Sequence, residues 1–329
     1  MRPPGFWTQD GVVPSLLSPL SRVVAEVTAR RVARPGWRAP VPVICCGNVT
    51  VGGTGKTTVA LDLLARLRAR GIAAHALARG YKGSARGVLR VSPQDSVALV
   101  GDEALLLAQA APTWIGADRA ASARDAIFAG AQALVMDDGL QNPTLHKDLS
   151  LLVIDGGAGF GNGRVLPAGP LREKVAACVA RCDAAVLIGE DRTGAAARMG
   201  RLPVLTARLV PDATMRALAG ERVFAFAGIG RPEKFFDSLR DVDAVLTGTR
   251  GFADHHVYAA REIDALRAAA GDATLVTTAK DAVRLPPGAG EGIRVAGIGL
   301  AWDDDAGIDA LLRQHVVRVA AAESAPPQP

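Results

Sequence analysis

The chain has 329 residues, a formal net charge of +5, 49% hydrophobic side chains and only 4% aromatic ones. That length suits about two domains, the apolar content is ample for packed cores, and the scarcity of aromatics argues against a surface that stacks nucleic-acid bases. Cys45, Cys46, Cys178 and Cys182 lack the spacing of a zinc finger, and the first two, inside an apolar run, read as buried thiols of a reducing compartment.

The first predicted element is a helix over 16–34. Leu16, Leu17, Leu20, Val23, Val24 and Val27 recur at helical spacing, Arg22, Arg30, Arg31 and Arg34 fall among the other positions, and Phe6 and Trp7 precede them. Such a helix lies either in a membrane interface or against its own protein. No uninterrupted apolar run reaches the ~18 residues that span a bilayer, and the segment lacks the pattern of a signal peptide.

Next comes an apolar strand at 41–46, running into Gly-Asn-Val-Thr-Val-Gly-Gly-Thr-Gly-Lys-Thr-Thr at 47–58. A strand, a glycine-rich turn and a helix in that order form a phosphate cradle: backbone N–H groups and the helix N-terminus converge on an anion. Gly52, Gly53, Thr54, Gly55, Lys56, Thr57 and Thr58 are the candidate nucleotide-binding residues, with Lys56 reaching the outer phosphates and the Thr57 hydroxyl holding Mg²⁺. The match to GxxxxGK[ST] is incomplete, because Thr50 occupies the first glycine position.

Further strands are predicted at 73–78, 133–136, 149–154 and 184–188, with helices at 57–70, 102–110 and 120–129 between them. The run at 133–136 ends in Asp137 and Asp138, carboxylates at the C-terminal edge of a strand, where they can hold the same Mg²⁺ as Thr57. A second series has strands at 223–227, 244–247 and 274–277 and helices at 232–239 and 259–270, with the crossing carried by 190–221. The expected fold is α/β: a P-loop NTPase-like, mostly parallel sheet, a second smaller α/β lobe and an N-terminal amphipathic helix. Its expected divisions are 1–36 as a membrane-interface segment, 37–220 as the P-loop nucleotide-binding domain, 221–319 as the C-terminal α/β lobe and 320–329 as a disordered tail.

The chain resembles the tetraacyldisaccharide 4′-kinase family of lipid A biosynthesis from Phe6 to about Leu285. The motifs that carry the resemblance are the phosphate loop at 47–57, Arg79-Gly80-Tyr81, Gly101-Asp102-Glu103, Asp118-Arg119, Asp137-Asp138-Gly139-Leu140-Gln141, the segment 161–173, Ala227-Gly228-Ile229-Gly230, Asp254-His255-His256 and the segment 280–285. Asn142, Thr58 and Ala279 depart from the residues common in the family. The resemblance implies transfer of the ATP γ-phosphoryl group to the 4′-hydroxyl of a tetraacylated glucosamine disaccharide 1-phosphate, giving lipid IVA. It also implies Asp102 as the base, His255 (or its neighbour His256) as partner to that aspartate, and Arg119, Gln141, Arg172 and Glu173 as substrate- or nucleotide-facing residues.

A membrane-resident acceptor favours the interfacial reading of residues 6–34 and a peripheral place on the cytoplasmic side of the bacterial inner membrane, with no nucleic-acid partner. Taken alone, Asp102 also suits a helix N-cap, and Arg119, Arg172 and Glu173 suit surface ion pairs. Two other readings stand beside the kinase. A P-loop switch GTPase would need an Asn-Lys-x-Asp segment, which the sequence lacks, and a soluble ATP-dependent ligase would leave the N-terminal helix without a use.

Overall fold

In the computed structural model, residues 4–317 are described, and the expected disordered tail at 320–329 lies outside them. Among the described residues thirteen strands form two sheets. In chain order they are β1 (Val43–Gly47), β2 (Ala74–Ala78), β3 (Leu89–Val91), β4 (Thr113–Ile115), β5 (Ala133–Asp137), β6 (Leu149–Asp155), β7 (Ala184–Ile188), β8 (Val204–Pro211), β9 (Arg222–Ala227), β10 (Val245–Gly251), β11 (Thr274–Thr278), β12 (Ile293–Ala296) and β13 (Ile298–Trp302).

The large sheet runs β13-β8-β7-β6-β1-β5-β2-β4-β3, and only its two edge strands, β13 and β3, are antiparallel to their neighbours. Its central strands are covered on both faces, so they read as unbroken apolar runs. In β1, Ile44 and Cys46 enter one core while Val43 and Cys45 enter the other. Burial pushes the Cys45 thiol up to about 12, which makes it an inert packing group as the sequence suggests. The small sheet, β10-β9-β11-β12, is wholly parallel. The expected fold class, a large mostly parallel sheet with a smaller α/β lobe and an N-terminal helix, is the one observed.

Residues 190–221 are more than a crossing, because they contain β8, which pairs with β7 inside the large sheet. After the second lobe β13 returns to the large sheet and pairs antiparallel with β8. The return is fixed by side chains. Ile308 and Leu312, in the helix Asp305–Leu312, bury in the first lobe's core. Trp302 Nε1 donates to Asp62 Oδ2 at 2.9 Å, and Arg66 Nη1 donates to Asp309 Oδ1 at 2.8 Å. Asp62 and Arg66 belong to the helix Lys56–Ala69, whose N-terminus closes the phosphate loop. The last part of the chain thus braces the helix that carries the cradle.

The N-terminal helix, Val12–Val32, is turned opposite to a core helix. Its inner face presents Pro14, Ser21, Ala25 and Thr28, while Leu16 (74% exposed), Leu20, Val23 and Val27 face outward. Polar bonds hold the inner face to the loop before β7: Ser21 Oγ donates to Val165 O at 2.7 Å and accepts from Ala168 N at 3.2 Å. Trp7 Nε1 donates to Pro167 O at 3.1 Å. By length and composition this helix is long and apolar enough to cross a membrane, which the search for an uninterrupted apolar run did not show.

Candidate active site

β1 and β5 lie side by side, with Cys46 opposite Asp137, so the phosphate loop and the acidic turn leave the sheet at the same edge. Gly55 caps the Lys56–Ala69 helix with φ +85°, a conformation that a side chain resists. From the first turn of that helix Thr57 Oγ1 donates to Asp137 Oδ2 at 2.9 Å, and Lys56 Nζ stands 3.9 Å from Asp138 Oδ2. Thr54 is buried, whereas Gly52 and Gly53 are exposed and line an open loop. Thr58 is half-buried one residue further into the helix.

The buried oxygens of this cradle are under-used. Asp137 Oδ1, Thr54 Oγ1 and Asn48 Oδ1 have no hydrogen-bond partner. Burial pushes the Asp137 carboxyl up to about 7, with Glu103 and Asp138 adding to the rise against the opposing charge of Lys56 and the Thr57 hydrogen bond. An orphaned carboxylate oxygen beside a threonine hydroxyl offers hard ligands of the type that Mg²⁺ takes. Among the described residues no group of three or more His, Cys, Asp or Glu side chains forms a metal cage. Mg²⁺ at phosphate sites needs none, since it uses one or two carboxylates and the phosphates themselves.

Around the cradle runs a chain of polar contacts. Arg172 Nη1 donates to Asp138 Oδ1 at 2.7 Å and reaches Gln141 Oε1 at 3.4 Å. Gln141 Nε2 donates to Glu173 Oε1 and to Asn48 O, both at 2.9 Å. Glu173 is buried and also takes Arg181 Nη2 at 2.9 Å. Arg119 is buried as well, its Nη1 on the Gly116 carbonyl and its Nε without a partner, and desolvation pushes its pKa down to about 10. Among the described residues Arg119 makes no ion pair, and Glu173 pairs with Arg181 from a buried position. Both are interior groups.

The second lobe supplies the other half of the site. Asp102, only 4% exposed, opens the helix Asp102–Ala108; Gly101, not Asp102, is the N-cap. Its Oδ1 accepts the Glu103 N–H at 2.9 Å, and its Oδ2 accepts His255 Nδ1 at 2.7 Å. His256 is not the partner. Its Nε2 donates to Glu262 at 3.0 Å while its ring stacks on Phe252 at 4.8 Å. Burial works against the charge on Asp102, but the His255 hydrogen bond and the Arg284 guanidinium prevail and hold the carboxyl well below the usual carboxylate range.

Asp138 (φ +56°) and His255 (φ +62°) are two of the four non-glycine residues with left-handed backbone among the described residues. Each such conformation costs on the order of 1–2 kcal/mol, and both fall at the candidate site. Sequence reasoning missed Asn48, Asp281 and Arg284 as members of the constellation. The available signal was that Asn48 lies inside the phosphate loop at 47–57 and that Asp281 and Arg284 lie inside the family-like segment 280–285.

Residues 13–317 match the family described as LpxK, Tetraacyldisaccharide-1-P 4′-kinase. The tetraacyldisaccharide 4′-kinase of Gluconacetobacter diazotrophicus is 56% identical over 318 residues, covering 95% of this chain and 97% of that protein. Its counterpart in Rhodospirillum centenum is 54% identical over 324 residues (95% and 96%), and the one in Methylobacterium sp. strain 4-46 is 49% identical over 336 residues (99% and 100%). A crystal structure of LpxK from Aquifex aeolicus in complex with ATP shares the fold, with a TM-score of 0.75 at 24% identity over 93% of this chain and 100% of that one. With its phosphate cradle, acidic turn and inter-lobe dyad in one continuous match, the chain belongs to the tetraacyldisaccharide 4′-kinase family.

Proposed function

We propose that this chain is an ATP-dependent lipid kinase that phosphorylates the 4′-hydroxyl of a tetraacylated glucosamine disaccharide 1-phosphate. The observation that carries the reading is the closure of the Asp102–His255 pair across the lobe junction, at the start of a helix that packs against the Lys56–Ala69 helix closing the phosphate loop. A proton-accepting pair thus adjoins a phosphate cradle. Phosphoryl transfer is mainly positioning and charge neutralisation, and the residues divide accordingly. Lys56 and the loop N–H groups hold the β- and γ-phosphates of ATP, and Arg172 fixes Asp138. The Asp102–His255 pair takes the proton of the acceptor hydroxyl as its oxygen bonds to the γ-phosphorus and the bond to the ADP oxygen breaks. Thr57 and Asp137 are the residues that would hold Mg²⁺, which when bound supplies charge neutralisation at the phosphates.

The test is incubation with labelled ATP and the acylated disaccharide 1-phosphate in mixed micelles. A bisphosphorylated lipid supports the reading; a preference for GTP, or ATP turnover with a small acid and none with lipid, favours the GTPase or the ligase.

Asp137 gives a prediction with a definite sign. A carboxyl that titrates near 7 without a cation is partly protonated at neutral pH, and Mg²⁺ must compete with that proton. The Mg²⁺ concentration needed for half-maximal rate should rise as pH falls, approaching about tenfold per pH unit below 7, and Asp137→Asn should remove the dependence along with most turnover. A pH-independent Mg²⁺ titration in the wild type would place the metal elsewhere.

The outward stripe of the N-terminal helix supports a peripheral position on a membrane, with the helix in the interface plane. A cleft lined by Arg22, Ala25, Glu26 and Ala29 on that helix and by Glu173, Lys174 and Ala177 leads from it toward the polar chain of the site. Changing Leu20, Val23 and Val27 together to Ser removes three exposed apolar side chains, each worth roughly 1–2 kcal/mol if inserted. Vesicle co-sedimentation should fall by at least about 100-fold, while Arg30→Gln with Arg31→Gln should cost about 1 kcal/mol per charge and only on anionic vesicles. Since these side chains are exposed, circular dichroism should show an unchanged fold. Full membrane binding by the serine variant would defeat the assignment.

A further inference from the structure

Arg284 is among the most deeply buried charged side chains of the described residues, 2% exposed, and its guanidinium is shared between the two lobes. Nε and Nη2 donate to Asp102 Oδ2 at 3.0 and 2.7 Å, across the junction. Nη1 donates to Gly228 O at 2.7 Å and to Asp281 Oδ1 at 3.2 Å, inside the second lobe. Asp281 is itself held by Gly228 N and Tyr258 OH, both at 2.9 Å, and by Thr278 Oγ1 at 2.6 Å. Tyr258 is wedged edge-on between Phe226 and Phe252, at ring distances of 5.3 and 5.1 Å. The guanidinium therefore has no freedom of its own: the aromatic core of one lobe aims it at a carboxylate of the other.

A buried arginine costs several kcal/mol in desolvation, and replacing such a pair with apolar groups often costs nothing. Stability alone is a poor account of this group. Its placement on the same oxygen that receives His255 Nδ1 gives it a chemical effect. A guanidinium that is always protonated disfavours the protonated form of anything beside it. The other charged groups around the pair are few. Glu103 follows Asp102 on its helix, Asp254 Oδ2 lies 3.8 Å from the second ring nitrogen of His255, and Lys280 and Asp281 precede Arg284 on the helix Ala279–Ala282. Lys56 on the neighbouring helix is directed at Asp138.

We propose that Arg284 is a positioning residue for phosphoryl transfer: it fixes Asp102 Oδ2 against His255 Nδ1 across the lobe junction and keeps the pair free of the proton it must accept. It touches neither ATP nor the acceptor and acts only through Asp102. The proposal rests on the kinase reading for its rate effects and on geometry alone for its effect on His255.

Two measurements on the full-length protein test it. In mixed micelles, Arg284→Gln should move the acid limb of the kcat–pH profile upward by about one pH unit, with kcat at neutral pH down at least about tenfold and the KM for ATP within about twofold. Arg284→Lys keeps a charge but not the three-point geometry, so its limb should stay near that of the wild type while kcat falls about tenfold. The position of a limb does not depend on how much of a preparation is folded, so a merely structural loss would leave it in place. Without substrates, the His255 resonances of ¹⁵N-histidine protein, identified by their loss in His255→Gln, should titrate about one unit higher in Arg284→Gln. An unmoved limb, an unmoved His255 midpoint or a wild-type kcat in Arg284→Lys would overturn the proposal; if Arg284→Gln does not fold, Arg284→Lys decides by its kcat. A wild type with no lipid kinase activity would count against the kinase reading only, and the histidine titration would still decide on Arg284.

Discussion

Lys56→Ala is expected to yield a folded protein whose turnover is down by about three to five orders of magnitude. The lysine side chain lies in the cradle with its ammonium 3.9 Å from Asp138, which keeps its closer partner Arg172 at 2.7 Å when the lysine is gone. Structure therefore loses little. On the proposed reading the transferring phosphoryl group loses the point charge that meets it as the bond to the leaving oxygen lengthens, and that charge acts in the transition state. The measurement is kcat in mixed micelles, with circular dichroism to confirm the fold. Activity within about tenfold of the wild type would end the assignment of the phosphate loop.

The second large effect falls on the acceptor side. Asp102→Asn should lower kcat by about two to four orders of magnitude while leaving the KM for ATP nearly unchanged, because on the proposed reading the pair serves the sugar hydroxyl and not the nucleotide. His255→Ala should do the same more mildly. Since the two share one hydrogen bond of 2.7 Å, the double variant should cost less than the sum, and strict additivity would argue against a dyad. The asparagine has a second, pH-dependent signature. The folded pKa of Asp102 is depressed, so its contribution to stability is complete above the unfolded value of about 3.9 and is lost as pH falls toward the folded value. The gap in thermal stability between wild type and Asp102→Asn should thus be widest at neutral pH and shrink below about pH 4.

How much of this was legible in the sequence depended on whether the determining contacts were local. The phosphate loop, Asp137 and the central strands could be read because a doubly covered parallel strand is an apolar run and a cradle is a contiguous turn. Five strands escaped: β3, β12 and β13 because edge strands face solvent on one side, β4 because it has only three residues, and β8 because every side chain in it except Ala207 is partly covered or exposed. For the N-terminal helix, periodicity marks an apolar face but does not say which face is inward. There the small residues Ala25 and Ser21, not the leucines, turned out to be the packing side. The dyad came from family resemblance alone. Arg284 lies 182 positions from Asp102, and nothing local to either residue announces the other.

The register of β8 and β13 places Ile298 opposite Pro211, so the chain leaves the large sheet and comes back to it at neighbouring points. Topologically, the second lobe is the tip of a β-ribbon, an insertion whose two ends are already adjacent. Folding of the large sheet and completion of the chemistry are then separable properties of the polypeptide. A short turn joining 211 to 298 would in principle close the same ribbon, because those ends already meet, and would leave Lys56, Thr57 and Asp137 where they are. It would also remove His255 and Arg284, and with them everything that makes Asp102 more than an acidic residue at the start of a helix. The phosphate cradle thus belongs to the large sheet, and the groups that reach Asp102 across the junction belong to the inserted lobe.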